Sequence, residues 1–373
     1  MAVNVLFDSS FILHRNIFSL ASNSGKRFLD SDQDVSLFVK KTIDDINSIV
    51  SIFPKNMLGK LIWAKDSRSW RKDLIEGVAY KGTRVKDETK VNWDVFRRVT
   101  NEFAEVLPEC GIIVSSEETA EADDLLYLWS QHFLESEESS VIVTSDRDLN
   151  QCIRHENGNI VCTYNPMFNT KRFTFHESLM GYDWSTSSSP IDDLFSAGQE
   201  SSAERLFKIS IQYEQEFVNP YKVSIDKIFE GDKSDNVPSA LQWKKVDSTG
   251  KEKTFSFTPR MMNILMKGMR YDNTFLDKIR FDSDFRRVIA MEAVGISGQP
   301  LDSNDVSQAI LNNISLMYLD RSVIPRNIQI SNLNESRTQF DLRDTKVYEI
   351  RPEWTYAPSE DGSMDSDIFS MMM

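Results

Sequence analysis

Short apolar runs alternate with longer amphipathic ones through the first 165 residues. "VNVLF" (3–7), "KLIWA" (60–64), "GIIVS" (111–115), "SVIVTS" (140–145) and "NIVCTY" (159–164) have the length and continuity of buried strands. Between them, "DVSLFVKKTIDDINSIVSIF" (34–53) and "VNWDVFRRVTNEFAEVLPEC" (91–110) read as helices. Strand–helix–strand alternation predicts an α/β domain, a mainly parallel sheet flanked by helices on both faces. "DWSTSSSPIDDLFSAGQESSAE" (183–204) is polar and Ser-rich and reads as a loop or insertion. A second, helical region follows from about Ser224 to Leu319, interrupted by "KKVDSTGKEKTFSF" (244–257), whose Ser-Thr-Gly reads as a hairpin turn. The end, "APSEDGSMDSDIFSMMM", has the composition of a disordered tail.

The polar positions that break this pattern carry the chemistry. In a parallel sheet all strand C-termini share one edge, and ligand sites form there. Asp8 follows the first strand, Asp66 the second, and Asp146 with Asp148 the fourth; Glu121, Asp123 and Asp124 come shortly after the third, at the start of a helix. Any one of these alone reads best as a turn residue or helix cap. Four connections delivering acids to one edge is a different matter, because so many carboxylates repel each other unless cations join them. Oxygen donors without His or Cys suit Mg²⁺ or Mn²⁺ rather than zinc. Two such ions side by side are apparatus for hydrolysing phosphodiesters.

Two further stretches bear on this. "IFEGDKSDNVPSA" (228–240) adds Asp232 and Asp235; it reads as an Asx-rich turn between helices, compatible with main-chain N–H groups holding a phosphate. Residues 65–100 hold ten Lys/Arg against six Asp/Glu, with Lys81 and Arg84 one helical turn apart and Tyr80 alongside. Standing alone this would be a solvated, charge-laced helix. Directly after Asp66 it supplies the cations and stacking aromatic that a phosphate substrate needs.

Charge and composition exclude little of this. The net charge is −14, from 57 acids and 43 Lys+Arg. Setting aside the nine nominated carboxylates and the five acids after Arg351 leaves acids and bases equal, so a local basic surface is compatible with the total. The three cysteines, Cys110, Cys152 and Cys162, lack zinc-ligand spacing and read as reduced thiols. No apolar stretch is long enough to span a bilayer, and no signal-peptide pattern opens the chain.

The order Asp8, Asp66, "WRKD…YKGTR", "EADD", "TSDRDLNQ" and "GDKSDNVP" resembles the flap-endonuclease/5′-nuclease superfamily, above all the bacteriophage 5′–3′ exonucleases called ribonuclease H. The resemblance implies a PIN-like nuclease domain (1–182) with a helical arch at about 67–95, and a helix–three-turn–helix duplex-binding region (224–330). A Ser-rich insertion (183–223) would join them, and a C-terminal extension (331–373) would follow. It implies two Mg²⁺ ions, with Mn²⁺ as substitute: Asp8, Asp66, Glu121 and Asp123 around one, Asp124, Asp146, Asp148 and Asp232 around the second, and Asp235 acting through water. Lys81 and Arg84 would grip the scissile phosphate, with Arg71 and Lys72 at the arch base. The turn with Gly231, Lys233 and Ser234 would hold the duplex. Much of the superfamily adds a K⁺-assisted backbone grip after this turn; here the Gly-rich continuation is replaced by "SALQWKKVDSTGKEKTFSF".

The activity so implied is a structure-specific 5′ nuclease acting on RNA·DNA hybrid and nicked or 5′-flap duplex, removing RNA primers and flaps during phage DNA replication in the cytoplasm of an infected bacterium. A monomer is expected. The tail residues "DSDIFSMMM" set Ile368, Phe369 and three Met after acids, which suits docking to a sliding clamp or single-strand-binding protein. Two other functions fit the same residues less fully: a PIN-type endoribonuclease, and a non-catalytic DNA-junction binder.

Overall fold

A computed structural model describes residues 2–75, 79–82, 87–167, 171–181, 201–246, 249–267 and 271–328. The chain divides into two compact units, one built from Met1–Arg68 and Val85–Phe217, the other from Ser69–Arg84 and Val218–Pro325. Among the described residues no helix is long and apolar enough to cross a membrane.

The first unit is an eight-stranded mixed sheet with helices against it. Strands β1 (Val3–Asp8), β2 (Leu58–Ala64), β3 (Ile112–Ser115) and β4 (Ser139–Val143) are the expected apolar runs. β5 (Arg154–Glu156), β6 (Asn159–Asn165), β7 (Arg172–His176) and β8 (Glu214–Val218) complete the sheet in the order β3-β2-β1-β4-β6-β7-β8, with β5 paired to β6. β1 runs parallel to β2 and β4, β2 to β3, and β4 to β6; β5 and β7 are antiparallel to β6. Asp8 lies in register with Ala64, and Phe7 with Val143, so the carboxyl ends of three neighbouring strands finish level.

Side-chain alternation explains why these strands are largely apolar. Val3, Val5 and Phe7 of β1 join one core with α1 (Ser9–Ser24), α2 (Asp32–Val50) and α3 (Trp93–Val106). The intervening Leu6, with Ile62 and Ile142 on neighbouring strands, is fully buried too, and α4 (Ala122–Glu135) packs against β1 and β4. With both faces covered, apolar residues dominate the central strands, and buried polar exceptions such as Asn4 and Thr163 are hydrogen-bonded. α1 follows Asp8 without a loop: the Asp8 carboxylate caps it by accepting from the Phe11 N–H at 3.0 Å, and Gly25 ends it at φ 65°.

Residues 201–218 depart from the expected linker. Ser201 caps α5 (Ser202–Ser210), whose Leu206 and Phe207 enter the sheet's core, and β8 extends the sheet beside β7. Polar residues at its start masked an amphipathic helix. Residues 182–200 and the C-terminal extension from 329 onward lie outside the described residues.

The second unit is helical around its own core: α6 (Pro220–Glu230), α7 (Pro259–Leu265), α8 (Asn273–Phe281), α9 (Ser283–Ser297) and α10 (Ser303–Met317). The turn after α6 leads first to a two-stranded antiparallel ribbon, β9 (Gln242–Val246) and β10 (Glu252–Ser256), before α7 begins. The described part of Ser69–Arg84, including the 3-10 turn Trp70–Asp73, groups with this unit.

Candidate active site

Three connections at the carboxyl edge of the sheet bring acids together. Asp8 is 6% exposed; Asp66 and Asp146 are on the surface. Burial, together with the negative charges of Asp66 and Asp146, pushes the Asp8 carboxyl up to about 7, although hydrogen bonds from Phe11 and Thr144 oppose the rise. Burial is the larger cause of the rise, and the two neighbouring carboxylates add to it. Among the described residues, no lysine or arginine pairs with Asp8, Asp66 or Asp146.

Neutral donors hold these acids instead. The Thr144 hydroxyl donates to Asp8 at 2.8 Å and accepts from the Asp146 N–H at 3.0 Å. Asp146 in turn accepts from the Asp148 N–H at 2.8 Å, starting a 3-10 turn. The Ser10 hydroxyl donates to Asp66, whose other oxygen accepts from the Ala122 N–H at 2.7 Å, the first residue of α4. Asp66 therefore sits against a helix N-terminus, where an anion is favoured. Ser10 and Thr144 were not singled out from the sequence. Their signal was adjacency, since each lies two residues from a nominated acid, in "DSS" and "TSD".

The other nominated acids of this unit are spread along the same helix and turn. Glu121 is the N-cap of α4 and is buried; its N–H donates to the Asp124 carboxylate at 3.2 Å. Asp124, fully buried, thus also serves the helix start. Asp123 is half-buried, and its charge acts on the Cys152 thiol. Cys152 and Cys162 are buried and unbonded to each other, and burial raises both thiols far above their usual range.

The donor set fits a hard divalent cation in kind: all oxygen, buried at one member, and uncompensated. It is not closed around one point. Among the described residues no three His, Cys, Asp or Glu side chains converge closely enough to hold a metal ion.

In the second unit, Asp232 and Asp235 are engaged in a turn. Lys227 donates to Asp232, which also accepts from the Ser234 N–H at 2.7 Å and hydroxyl at 2.6 Å. Burial would raise the Asp232 carboxyl, but Lys227 and Ser234 hold it down at about 2. Asp232 and Val237 exchange backbone hydrogen bonds, and Gly231 must be glycine: at φ 70° a Cβ would meet Pro238 and Val237 atoms at 2.5 Å. The Ser234 N–H, expected to face a phosphate, is spent on Asp232, whereas the Lys233 side chain is exposed.

The "YKG" stretch docks on this turn. The Lys81 N–H donates to the Asp235 carbonyl at 2.8 Å, and the Asn236 side chain to the Ala79 carbonyl at 3.1 Å. Lys81 Nζ lies 3.9 Å from the Asp235 carboxylate. Two expectations are corrected here. Tyr80 is not an exposed stacking ring: it is 6% exposed, packed with Val237 and Leu316, and its hydroxyl lies 3.3 Å from Asp235. Lys81 is not helical, having φ 55° within a turn. Arg84 lies outside the described residues. Lys72 is exposed, but Arg71 is 2% exposed with its guanidinium 4.6 Å over the Trp70 ring, so it offers no surface to a strand as placed.

A mainly parallel sheet flanked by helices, with acids where its strands end, is a PIN-like, resolvase-like fold. Residues 4–180 match the family model described as 5′-3′ exonuclease, N-terminal resolvase-like domain. Over these residues the chain is similar to that family, in keeping with the resemblance of its motifs to the flap-endonuclease/5′-nuclease superfamily. No curated protein matches it in sequence. Among solved structures it is similar to the bacteriophage T5 D15 protein co-crystallised with metal ions, at 10% identity over 90% of this chain and 98% of that one, TM-score 0.46. It is also similar to a T5 flap endonuclease variant in a pseudo-enzyme–product complex with DNA and metal ions, at 14% identity over 90% and 99%, TM-score 0.45. A third is T5 5′-exonuclease with zinc ions bound, at 10% identity over 90% and 99%, TM-score 0.46.

Proposed function

We propose that this chain is a divalent-metal-dependent 5′ nuclease that hydrolyses RNA·DNA hybrids and nicked or 5′-flap duplexes, clearing RNA primers and flaps during phage DNA replication in the host cytoplasm. One observation carries the reading: Asp8, Asp66 and Asp146 interact at one sheet edge, with Asp8 pushed up to about 7 by burial and by the other two charges, and no lysine or arginine among the described residues pairs with it. When bound there, Mg²⁺ or Mn²⁺ supplies an activated water and neutralises charge developing on the phosphate. The residues that would hold it are Asp8, Asp66 and Asp146, with Glu121, Asp123, Asp124 and Asp148 beside them. Thr144 orients two of these connections at once, and Ser10 steadies Asp66. Lys81, fixed on its turn, supplies a cation for a phosphate. A monomer suffices for this chemistry, and the apolar end of the tail would dock a sliding clamp or single-strand-binding protein.

The test is cleavage of 5′-labelled flap, nicked and RNA·DNA substrates, with an RNA hairpin as comparison, with and without Mg²⁺. Short 5′ products that need Mg²⁺ are expected from the first three. Cleavage confined to the RNA hairpin would move the reading to an endoribonuclease. A non-catalytic junction binder is favoured by one observation, that no three described acids converge on a point; flap binding without cleavage at any Mg²⁺ concentration would establish it.

A further inference from the structure

The β9–β10 ribbon is the least covered regular element among the described residues. Every one of its ten residues is exposed except Trp243, which is half-buried. Two-stranded ribbons are marginal in water. At its base Leu241 is fully buried, its carbonyl accepts the Phe257 N–H at 3.1 Å, and the Ala240 N–H donates to the Phe229 carbonyl at 3.0 Å.

Register sorts its side chains onto two faces. Gln242, Lys244 and Thr254 line a cleft of about 460 Å³ against Pro300, Leu301 and Asp302. Strand alternation turns Lys245, Lys253 and Phe255 the other way. On that face Lys245 and Lys253 are register partners, and so are Trp243 and Phe255. Like charges directly opposite each other weaken a ribbon. The aromatic pair is stacked, centroids 6.2 Å apart and planes within 17°, and Trp243 meets Phe257 edge-on at 6.3 Å. Phe255, the outer ring, remains 44% exposed. A folded chain of net charge −14 thus presents two facing lysines beside an open, rigidly backed aromatic ring.

We infer that the Lys245–Lys253–Phe255 face of the ribbon binds a single-stranded nucleic-acid segment, with a base stacked on Phe255 and flanking phosphates on the two lysines. Charge complementarity selects a polyanion, and the open ring selects unpaired bases, because bases inside a duplex have no free π-face to offer. The biological setting, a free strand beside the duplex being processed, rests on the nuclease reading; the binding itself does not.

The experiment measures affinity of the full chain for a fluorescein-labelled oligo-dT of about 16 nucleotides and for a blunt hairpin duplex, in EDTA so that nothing is cleaved. The double variant Lys245→Glu/Lys253→Glu is expected to lose about tenfold or more in oligo-dT affinity. Its log–log salt slope should become shallower by about 1.4. Phe255→Ala should lose about tenfold, with Phe255→Trp restoring it. Blunt-duplex affinity should move by less than about twofold. Lys245→Gln/Lys253→Gln, which removes both charges while keeping long polar side chains, should show the same loss with Tm close to wild type. Unchanged oligo-dT binding in these variants, or an equal loss on blunt duplex, overturns the assignment. A wild-type chain that binds oligo-dT through this face yet cleaves no flap with Mg²⁺ sinks the nuclease reading and leaves the ribbon standing.

Discussion

At the carboxyl edge of the sheet, burial and the charges of Asp66 and Asp146 push Asp8 up to about 7, whereas in the turn after α6 Lys227 and Ser234 hold Asp232 down at about 2 despite partial burial. Both regions are short, acidic and attached to helix ends, and in sequence they look alike. Their donors differ. The edge is satisfied by hydroxyls and backbone N–H groups, which orient carboxylates without cancelling their charge. The turn has an ammonium of its own. An acidic cluster that leaves its charge uncancelled is prepared for an external cation; one that cancels it internally is built to hold a backbone in place.

The largest effect should come from the edge. Asp146→Asn removes one charge from an exposed carboxylate whose described hydrogen bond, from the Asp148 N–H, an amide oxygen can still accept. Flap cleavage in Mg²⁺ should fall by at least about a thousandfold, ~4 kcal/mol in the barrier, while DNA binding and Tm stay close to wild type. Turnover at the normal rate would show that the edge is not where the chemistry happens.

Asp8→Asn comes next and acts on stability. The folded carboxyl is raised to about 7 from 3.8, so the native state keeps a proton that the unfolded chain has released. Stability of the metal-free wild type is then fullest below about 4 and is lost as pH rises through about 7. In EDTA the variant should match wild type at pH 4 and exceed it at pH 8 by up to about 4 kcal/mol, read from urea unfolding. Millimolar Mg²⁺ should close the gap by stabilising wild type alone. A gap independent of pH would remove the electrostatic basis of the comparison.

Asp232→Asn should show the opposite sign. With the folded carboxyl at about 2, its contribution is present above about 4 and disappears as pH falls toward 2. The Asp232 side chain is 15% exposed, and solvent screening trims the expected loss at pH 7 to about 1–2 kcal/mol. The two variants therefore respond in separate pH windows. Loss of cleavage without loss of stability in this variant would place Asp232 with the metal ligands that its sequence motif suggests, rather than with the turn.

Much of the sheet was legible because buried parallel strands are written as unbroken apolar runs, and the acids at one edge followed from strand direction alone. α1 was less visible: "SSFILHRNIFSLASNS" mixes Ser, Asn and His into its covered face, and Asn16 is fully buried by hydrogen bonding to Thr42. Tyr80 misled for a different reason. Its burial depends on Val237 and Leu316, more than 150 residues away, and local charge patterning carries no information about such partners. Lys227 is five residues before Asp232, a spacing without meaning on a continuous helix; it pairs only because Gly231 reverses the chain between them. That Asp8, Asp66 and Asp146 act on one another at one edge was readable. Which acids already have a partner was not.

Tyr80→Phe should be the smallest change and the sharpest test of how the turn holds its neighbour. The variant keeps the ring against Val237 and Leu316 and removes only the hydroxyl 3.3 Å from Asp235. That distance is at the long end for such a bond. Asp235 retains the Lys81 ammonium at 3.9 Å, and Lys81 keeps its backbone bond to the Asp235 carbonyl. Urea unfolding should therefore register a loss of about 1 kcal/mol or less. If flap cleavage also stays within about twofold, the hydroxyl is a minor strut and the main-chain bonds alone fix Lys81. A tenfold fall in kcat at unchanged stability would mean instead that Asp235 acts on Lys81 through its charge, and that the turn, for all its internal pairing, takes part in the chemistry it resembles.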